Sequence, residues 1–265
     1  MSVDPSARVH PSAVVEDGAT LGAGCEVGPF AVIGPEVTLG AGSVVRSHAV
    51  LTGWTEIGPE AQVFPFASVG EIPQDKKFGG ERTRTVIGAR ARIREHVTVN
   101  AGTEGGGGVT RIGDDVLLMA GCHVAHDCIV GDRVIVVNCS ALAGHVVVED
   151  DVIVGGLSGI HQFVRLGRGA IIGALSMVTN DVVPHGLVQG PRAELDGLNL
   201  VGLKRRGVAR ADIQALRVAL LTLKQGEGTF LERARRLGEE TESDYVREMV
   251  DFILADTDRS FLVPK

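Results

Sequence analysis

Ile33 to Val45 reads IGPEVTLGAGSVV, with an aliphatic side chain at 33, 39 and 45 and a β-branched Val37 four positions after the first. The same phase runs outward in both directions. Upstream it takes in Val9, Val15, Leu21 and Val27, and downstream Leu51, Ile57, Val63 and Val69. It returns at Ile87, Ile93 and Val99, shifts by one, and continues from Ile112 through Leu118, Val124, Val130, Val136, Leu142, Val148, Val154, Ile160, Leu166 and Ile172 to Val178. A period of six matches neither the 3.6 of an amphipathic helix nor the alternation of a half-buried strand. It does match a parallel β-helix, in which each six-residue unit forms one flat side of a triangular prism and three units complete a coil of eighteen. The aliphatic then points inward. The small residue four positions on, such as Ala19, Cys25, Ala31, Cys122 or Cys128, fills the corner, and glycine is tolerated where the chain bends.

Composition agrees with that core. Of 265 residues only 4% are aromatic while 36 are glycine, so the interior is built from small and β-branched side chains. A net charge of −7 excludes a general nucleic-acid binder, which needs a basic face. The amino terminus MSVDPSARVH lacks the basic and apolar regions of a signal peptide, and no run approaches the ~18 apolar residues of a membrane span. A cytoplasmic protein with reduced thiols is expected, since the spacings of Cys25, Cys122, Cys128 and Cys139 match no zinc ribbon.

Two stretches break the rhythm. EIPQDKKFGGERTRT (Glu71 to Thr85) is expected to replace most of a coil with a polar, basic loop, and EGGGGVT (Glu104 to Thr110) to insert a second loop. Long loops on a rigid scaffold tend to be functional. After QGPRAE the period becomes helical, with Ile213, Leu216, Leu220 and Leu223 on one face and Val246, Met249, Val250 and Ile253 on another. Thr229 with Glu232 forms a capping-box pattern. The expected organisation is a β-helix over residues 1–190 and a helical domain over 191–265.

In such a prism, positions eighteen apart lie above one another, which gives GCHVAHDCIVGD (Gly121 to Asp132) its meaning. His126, Gly144 and Gln162 form one column. His145 and His161 each stand one residue from it, and His123 half a side earlier. Four of the chain's eight histidines therefore gather along one edge. Two chemistries fit: imidazoles from adjacent coils holding a divalent metal, or a neutral imidazole acting as general base while a glycine N–H faces a developing oxyanion. Cys122 and Cys128 point into the core and do not favour a metal. Lys204, Arg205 and Arg206 in GLKRRG are adjacent cations suited to a phosphate or pyrophosphate.

The ordered segments IREHVTV, HVAHDCIVGD, ALAGHV, GIHQF, VQGPRA and GLKRRG, with the helical tail, resemble the bacterial UDP-N-acetylglucosamine 3-O-acyltransferases over nearly the whole length. That resemblance implies a left-handed coil and a homotrimer with active sites between subunits. It also implies transfer of a 3-hydroxyacyl chain from acyl carrier protein to the 3-hydroxyl of UDP-N-acetylglucosamine, the first step of lipid A synthesis, without cofactor or metal. His126 would be the general base, Asp127 its polarising partner, and the Gly144 N–H the oxyanion donor. Adjacent residues of an extended strand face opposite ways, so Asp127 needs a corner conformation to serve. His123, His145, His161 and Gln162 would position sugar and acyl groups. Asp75 and Lys77 would contact substrate from the basic loop, Asn199 and Arg205 would meet the nucleotide, and Ala174 would close the hydrocarbon groove. Asn100 and Ala101 depart from the family's usual His-Arg pair, which leaves a 3-amino UDP-sugar as an alternative acceptor. A β-helical carbonic anhydrase with histidine-bound zinc is an alternative from another class.

Overall fold

The computed structural model describes residues 2–255 and 259–264. The expected coil is present: short strands, most of two residues, wind into a left-handed parallel β-helix. Among the described residues the three faces contain nine, eleven and nine strands. Within the coil, strands pair in parallel with the strand one coil away, as in Val27↔Val45 and Leu118↔Val136. The repeat aliphatics fill the prism. Leu21, Ile33, Leu39, Leu51, Ile87, Ile112, Leu142, Ile160 and Ile172 are all essentially inaccessible, whereas Val9, at the open lower end, is exposed.

The two interruptions obey the register. Val63 pairs with Ile93, thirty positions on, so the excursion is twelve residues long, twice the period, and the phase survives it. Ile93 pairs with Leu118, twenty-five positions on, an excess of seven that accounts for the shift by one. The first excursion therefore does not replace a coil. It is inserted between the complete strands Ser68–Glu71 and Arg84–Ile87. The second begins after Thr98–Asn100, contains a 3-10 turn at Glu104–Gly106 and ends at Val109–Ile112. Both leave the prism between its third and first faces, on the edge that carries His126, two coils above the first excursion and one above the second.

Glycine does occupy bends, as at Gly24, Gly42, Gly121 and Gly169, but the corners are not confined to it. Among the described residues sixteen non-glycine residues adopt left-handed backbone, with φ between 56° and 67°, Asp127, His145 and Phe163 among them. Each such residue is disfavoured by roughly 1–2 kcal/mol, and contacts between stacked corners offset this. Arg90 bridges to Asp115 and Arg133 to Asp151 on one edge, while Phe30, His48, Phe66 and His96 stack at 5.0–5.1 Å on another.

Beyond the coil, Gly186–Gln189 pairs antiparallel with Glu194–Leu198, so residue 190 falls in the turn of a hairpin. Four helices follow: α1 (Leu200–Arg205), α2 (Arg210–Lys224), α3 (Phe230–Glu240) and α4 (Asp244–Leu254). The apolar faces read from spacing, Ile213 to Leu223 and Val246 to Ile253, are buried, and Thr229 with Glu232 forms the full capping box. No described helix is long and apolar enough to cross a membrane.

Candidate active site

The site begins with a corner. Strand His123–Val124 ends at His126, and Asp127 then takes φ 59°, which turns its side chain back beside its neighbour instead of to the opposite face. The corner conformation that Asp127 needs is therefore the one it has. Its N–H donates to Thr110 Oγ1 at 2.8 Å. Its fully buried carboxylate accepts from Thr103 N at 2.8 Å and Thr103 Oγ1 at 2.6 Å. The same carboxylate faces His126, whose Nδ1 is 2.8 Å from Asp127 Oδ2. A carboxylate oxygen can only accept, so Nδ1 is the donor, and in the neutral form of the ring the lone pair is on Nε2.

Gly144 lies directly above. A methyl group built there would stand 2.6 Å from His126 Cε1 and 2.7 Å from Nε2, so the imidazole occupies the space that glycine vacates. The Gly144 N–H has no hydrogen-bond acceptor among the described residues, while those of Ala143 and His145 are bonded to Ile160 O and His126 O. An open N–H donor and an open Nε2 acceptor thus flank the same small space.

His145 sits over Asp127. Its ring meets His126 edge-on at 5.0 Å, stacks on Phe163 at 4.4 Å, and places Nδ1 3.9 Å from Asp127 Oδ2. Burial pushes its pKa below the usual imidazole value. Asp127 pulls it up, His126 pushes it down, and Asp75, reaching the site from the first inserted loop, pulls it up. His123 projects from the third face with Nδ1 2.7 Å from Thr98 Oγ1, and burial followed by the nearby His126 lowers its pKa. His126, Asp127 and His145 together bring three potential ligand atoms within 4.8 Å of one another.

The other expected residues are more dispersed. His161 is exposed, two coils above His126, its Nδ1 3.2 Å from the Gln162 carbonyl oxygen. Asp75 accepts the Lys77 N–H at 3.0 Å, and the Lys77 side chain is exposed. Asn199 is committed to structure: Oδ1 caps α1 at Gly202 N and Nδ2 donates to Gly169 O. In the basic triplet Arg206 reaches His185 Nδ1 at 3.1 Å, while Arg205 is exposed in the last turn of α1. Ala174 is exposed on a different edge, between the second and third faces. The outer row of the third face, His123, Ala141, Gly159 and Met177, connects that edge to His126.

Thr103, Thr110 and Phe163 were not anticipated. Thr103 was recoverable only by noticing that an excess of seven residues swings the second inserted loop onto the edge that bears Asp127.

Comparison with known proteins identifies the scaffold. The family model described as Udp N-acetylglucosamine O-acyltransferase, domain 2, matches residues 181–262, and the bacterial transferase hexapeptide model matches residues 18–53 and 110–144. The acyl-[acyl-carrier-protein]–UDP-N-acetylglucosamine O-acyltransferase of Paracoccus denitrificans is 67% identical over 202 residues, 76% of this chain and 77% of that protein. Among solved structures, the UDP-N-acetylglucosamine acyltransferase of Campylobacter jejuni superposes with a TM-score of 0.91 at 42% identity, over 97% of this chain and all of that one. The UDP-N-acetylglucosamine O-acyltransferase of Moraxella catarrhalis does so with a TM-score of 0.84 at 34% identity, over 99% and 100% of the two chains. With the coil, the helical tail and this likeness along nearly its whole length, the chain belongs to the UDP-N-acetylglucosamine O-acyltransferase family and is an acyltransferase.

Proposed function

We propose that the protein transfers a 3-hydroxyacyl group from acyl carrier protein to the 3-hydroxyl of UDP-N-acetylglucosamine, opening lipid A synthesis as a cytoplasmic homotrimer. The observation that supports this most is the His126 ring, fixed between a buried carboxylate and a glycine with an open N–H. His126 Nε2 takes the hydroxyl proton as the sugar oxygen attacks the thioester carbonyl. Asp127 stabilises the resulting imidazolium, and the Gly144 N–H meets the oxyanion. When the tetrahedral intermediate collapses, the C–S bond breaks and the imidazolium returns its proton to the departing thiolate. General-base assistance of this kind contributes about 10²–10⁴-fold and one oxyanion donor about 10²–10³-fold. The chemistry needs no covalent enzyme intermediate. His123, His145, His161, Gln162, Asp75 and Lys77 would bind sugar and acyl groups around this centre. A carbonic-anhydrase-like role is disfavoured by family membership.

A second acceptor, a 3-amino UDP-sugar giving an amide, is favoured by one feature. Asn100 is buried, donates Nδ2 to Ile72 O, and leaves Oδ1 without a hydrogen-bond partner. It lies one coil below Ala125, the residue before His126. Incubation with hydroxyacyl-loaded carrier protein and each sugar in turn, with the product identified by mass, decides between them. No acyl product from either sugar would overturn the proposal.

Arg205 is exposed in the last turn of α1, and its neighbours Lys204 and Arg206 are exposed too, of which Arg206 reaches His185. Arg205→Ala should raise KM for the nucleotide sugar more than it lowers kcat, because a phosphate contact remote from the reacting carbon contributes uniform binding. An unchanged KM would show a merely solvated helix end.

Chain length should depend on Ala174. Ala174 is exposed, and in the proposed trimer a groove running to it from His126 across Ala141, Gly159 and Met177 would be walled by a neighbouring copy. A methyl at its end excludes one or two carbons at about 0.8 kcal/mol, roughly fourfold, per CH₂, for a preference of about ten to twelve carbons. Ala174→Gly should lengthen the preferred chain in a kcat/KM series. An unmoved optimum would remove Ala174 from the groove.

A further inference from the structure

The proposed mechanism uses His126 Nε2 and leaves the opposite side of the ring facing a cluster of unusual composition. One potential ligand atom each from His126, Asp127 and His145 lies within 4.8 Å of the others, and Asp127 Oδ2 is 2.8 Å from His126 Nδ1 and 3.9 Å from His145 Nδ1. Two imidazoles and a carboxylate are the donor set of an open three-ligand zinc site, with its fourth position left to water. Bond lengths of about 2.0–2.2 Å to nitrogen and oxygen put neighbouring ligand atoms roughly 3.3 Å apart in a tetrahedron. The observed spacings bracket that value, so small side-chain rotations suffice. The backbone beneath them is rigid: His145 N–H donates to His126 O, Asp127 N–H to Thr110, and the carboxylate is held by Thr103.

We propose that His126, Asp127 and His145 form an inhibitory site for a divalent transition-metal ion, zinc above all, which takes the place of the proton between His126 Nδ1 and Asp127. The ring changes tautomer: Nδ1 gives up its proton as the metal binds, Nε2 takes one up from solvent, and no net proton is released. A neutral imidazole bound to metal through Nδ1 carries its single proton on Nε2, so the nitrogen that must accept the sugar proton becomes a donor. The inhibitory consequence rests on the general-base role proposed above, whereas metal binding does not. Magnesium and calcium should not compete, since they demand more oxygen ligands than the site provides.

Calorimetric titration of chelator-stripped protein with zinc chloride should give one ion per chain. Affinity should fall by about tenfold or more in His145→Gln and Asp127→Asn. It should stay unchanged in Cys139→Ser, which removes the exposed free thiol. If either active-site variant misfolds, cobalt(II) added to the natural protein gives an independent readout: four-coordinate d–d bands without a thiolate charge-transfer band support the trio. In the acyl-transfer assay zinc should lower kcat, and chelation should restore it. Absence of saturable binding, binding indifferent to both active-site substitutions, or binding lost with Cys139 would each overturn the site. Binding to the trio with undiminished turnover would overturn its inhibitory role and count against His126 as the base. Turnover in His126→Ala without added metal tests that base separately.

Discussion

His126→Ala should lower kcat by about 10²–10⁴-fold, the range for loss of a positioned general base. The substitution removes the one ring whose Nδ1 is committed to a buried carboxylate and whose Nε2 stays open beside Gly144. The fold should tolerate it. His126 lies on the outer edge of the prism, its inward neighbours Val124 and Cys128 keep their packing, and Asp127 retains both donors from Thr103. Turnover of acyl carrier protein substrate should therefore collapse while the melting temperature and the sedimentation of the natural and variant proteins stay close. If the variant kept more than about a tenth of the natural kcat, the missing contribution would fall below the general-base range and the assignment would fail.

Gly144→Ala should be nearly as damaging, although it adds only a methyl group and deletes nothing. Gly144 does not occupy left-handed backbone, so alanine suits its conformation. The added carbon, however, would stand 2.6–2.7 Å from two atoms of the His126 ring, which must swing away from Asp127, Gly144 or both. Misplacement of a reacting group by about 1 Å can reduce rate about 10²-fold. The backbone N–H of residue 144 is retained, so the loss should appear in kcat with little change in KM for either substrate. Gly105→Ala, where an added methyl meets nothing, serves as the control and should leave kcat unchanged. Natural turnover in Gly144→Ala would mean that the ring does not need its observed position, and the assignment of His126 would fall with it.

Most of the fold follows from the sequence by itself. A strict six-residue period admits one coil, because only a three-sided prism returns every sixth side chain to the interior. Parallel backbone hydrogen bonding then puts residues eighteen apart in one column. The column of His126 and Gly144, with His145 one residue away, was legible for that reason, as were the buried faces of α2 and α4. The hand of the coil was not, since periodicity is the same in either hand. Nor was the pairing of His126 with Asp127. It depends on φ 59° at a corner, a conformation that side-chain identity does not specify, as the equally left-handed Phe163 and Leu175 illustrate. The edge from which the inserted loops leave, the delivery of Thr103 to Asp127, the use of Asn199 as a helix cap and the separation of Ala174 from His126 were decided in three dimensions. Periodicity sets which residues stack and which point inward. Side-chain direction at corners, and the partners of residues outside the period, come from contacts between segments with no fixed spacing, and these exist only once the coil has closed.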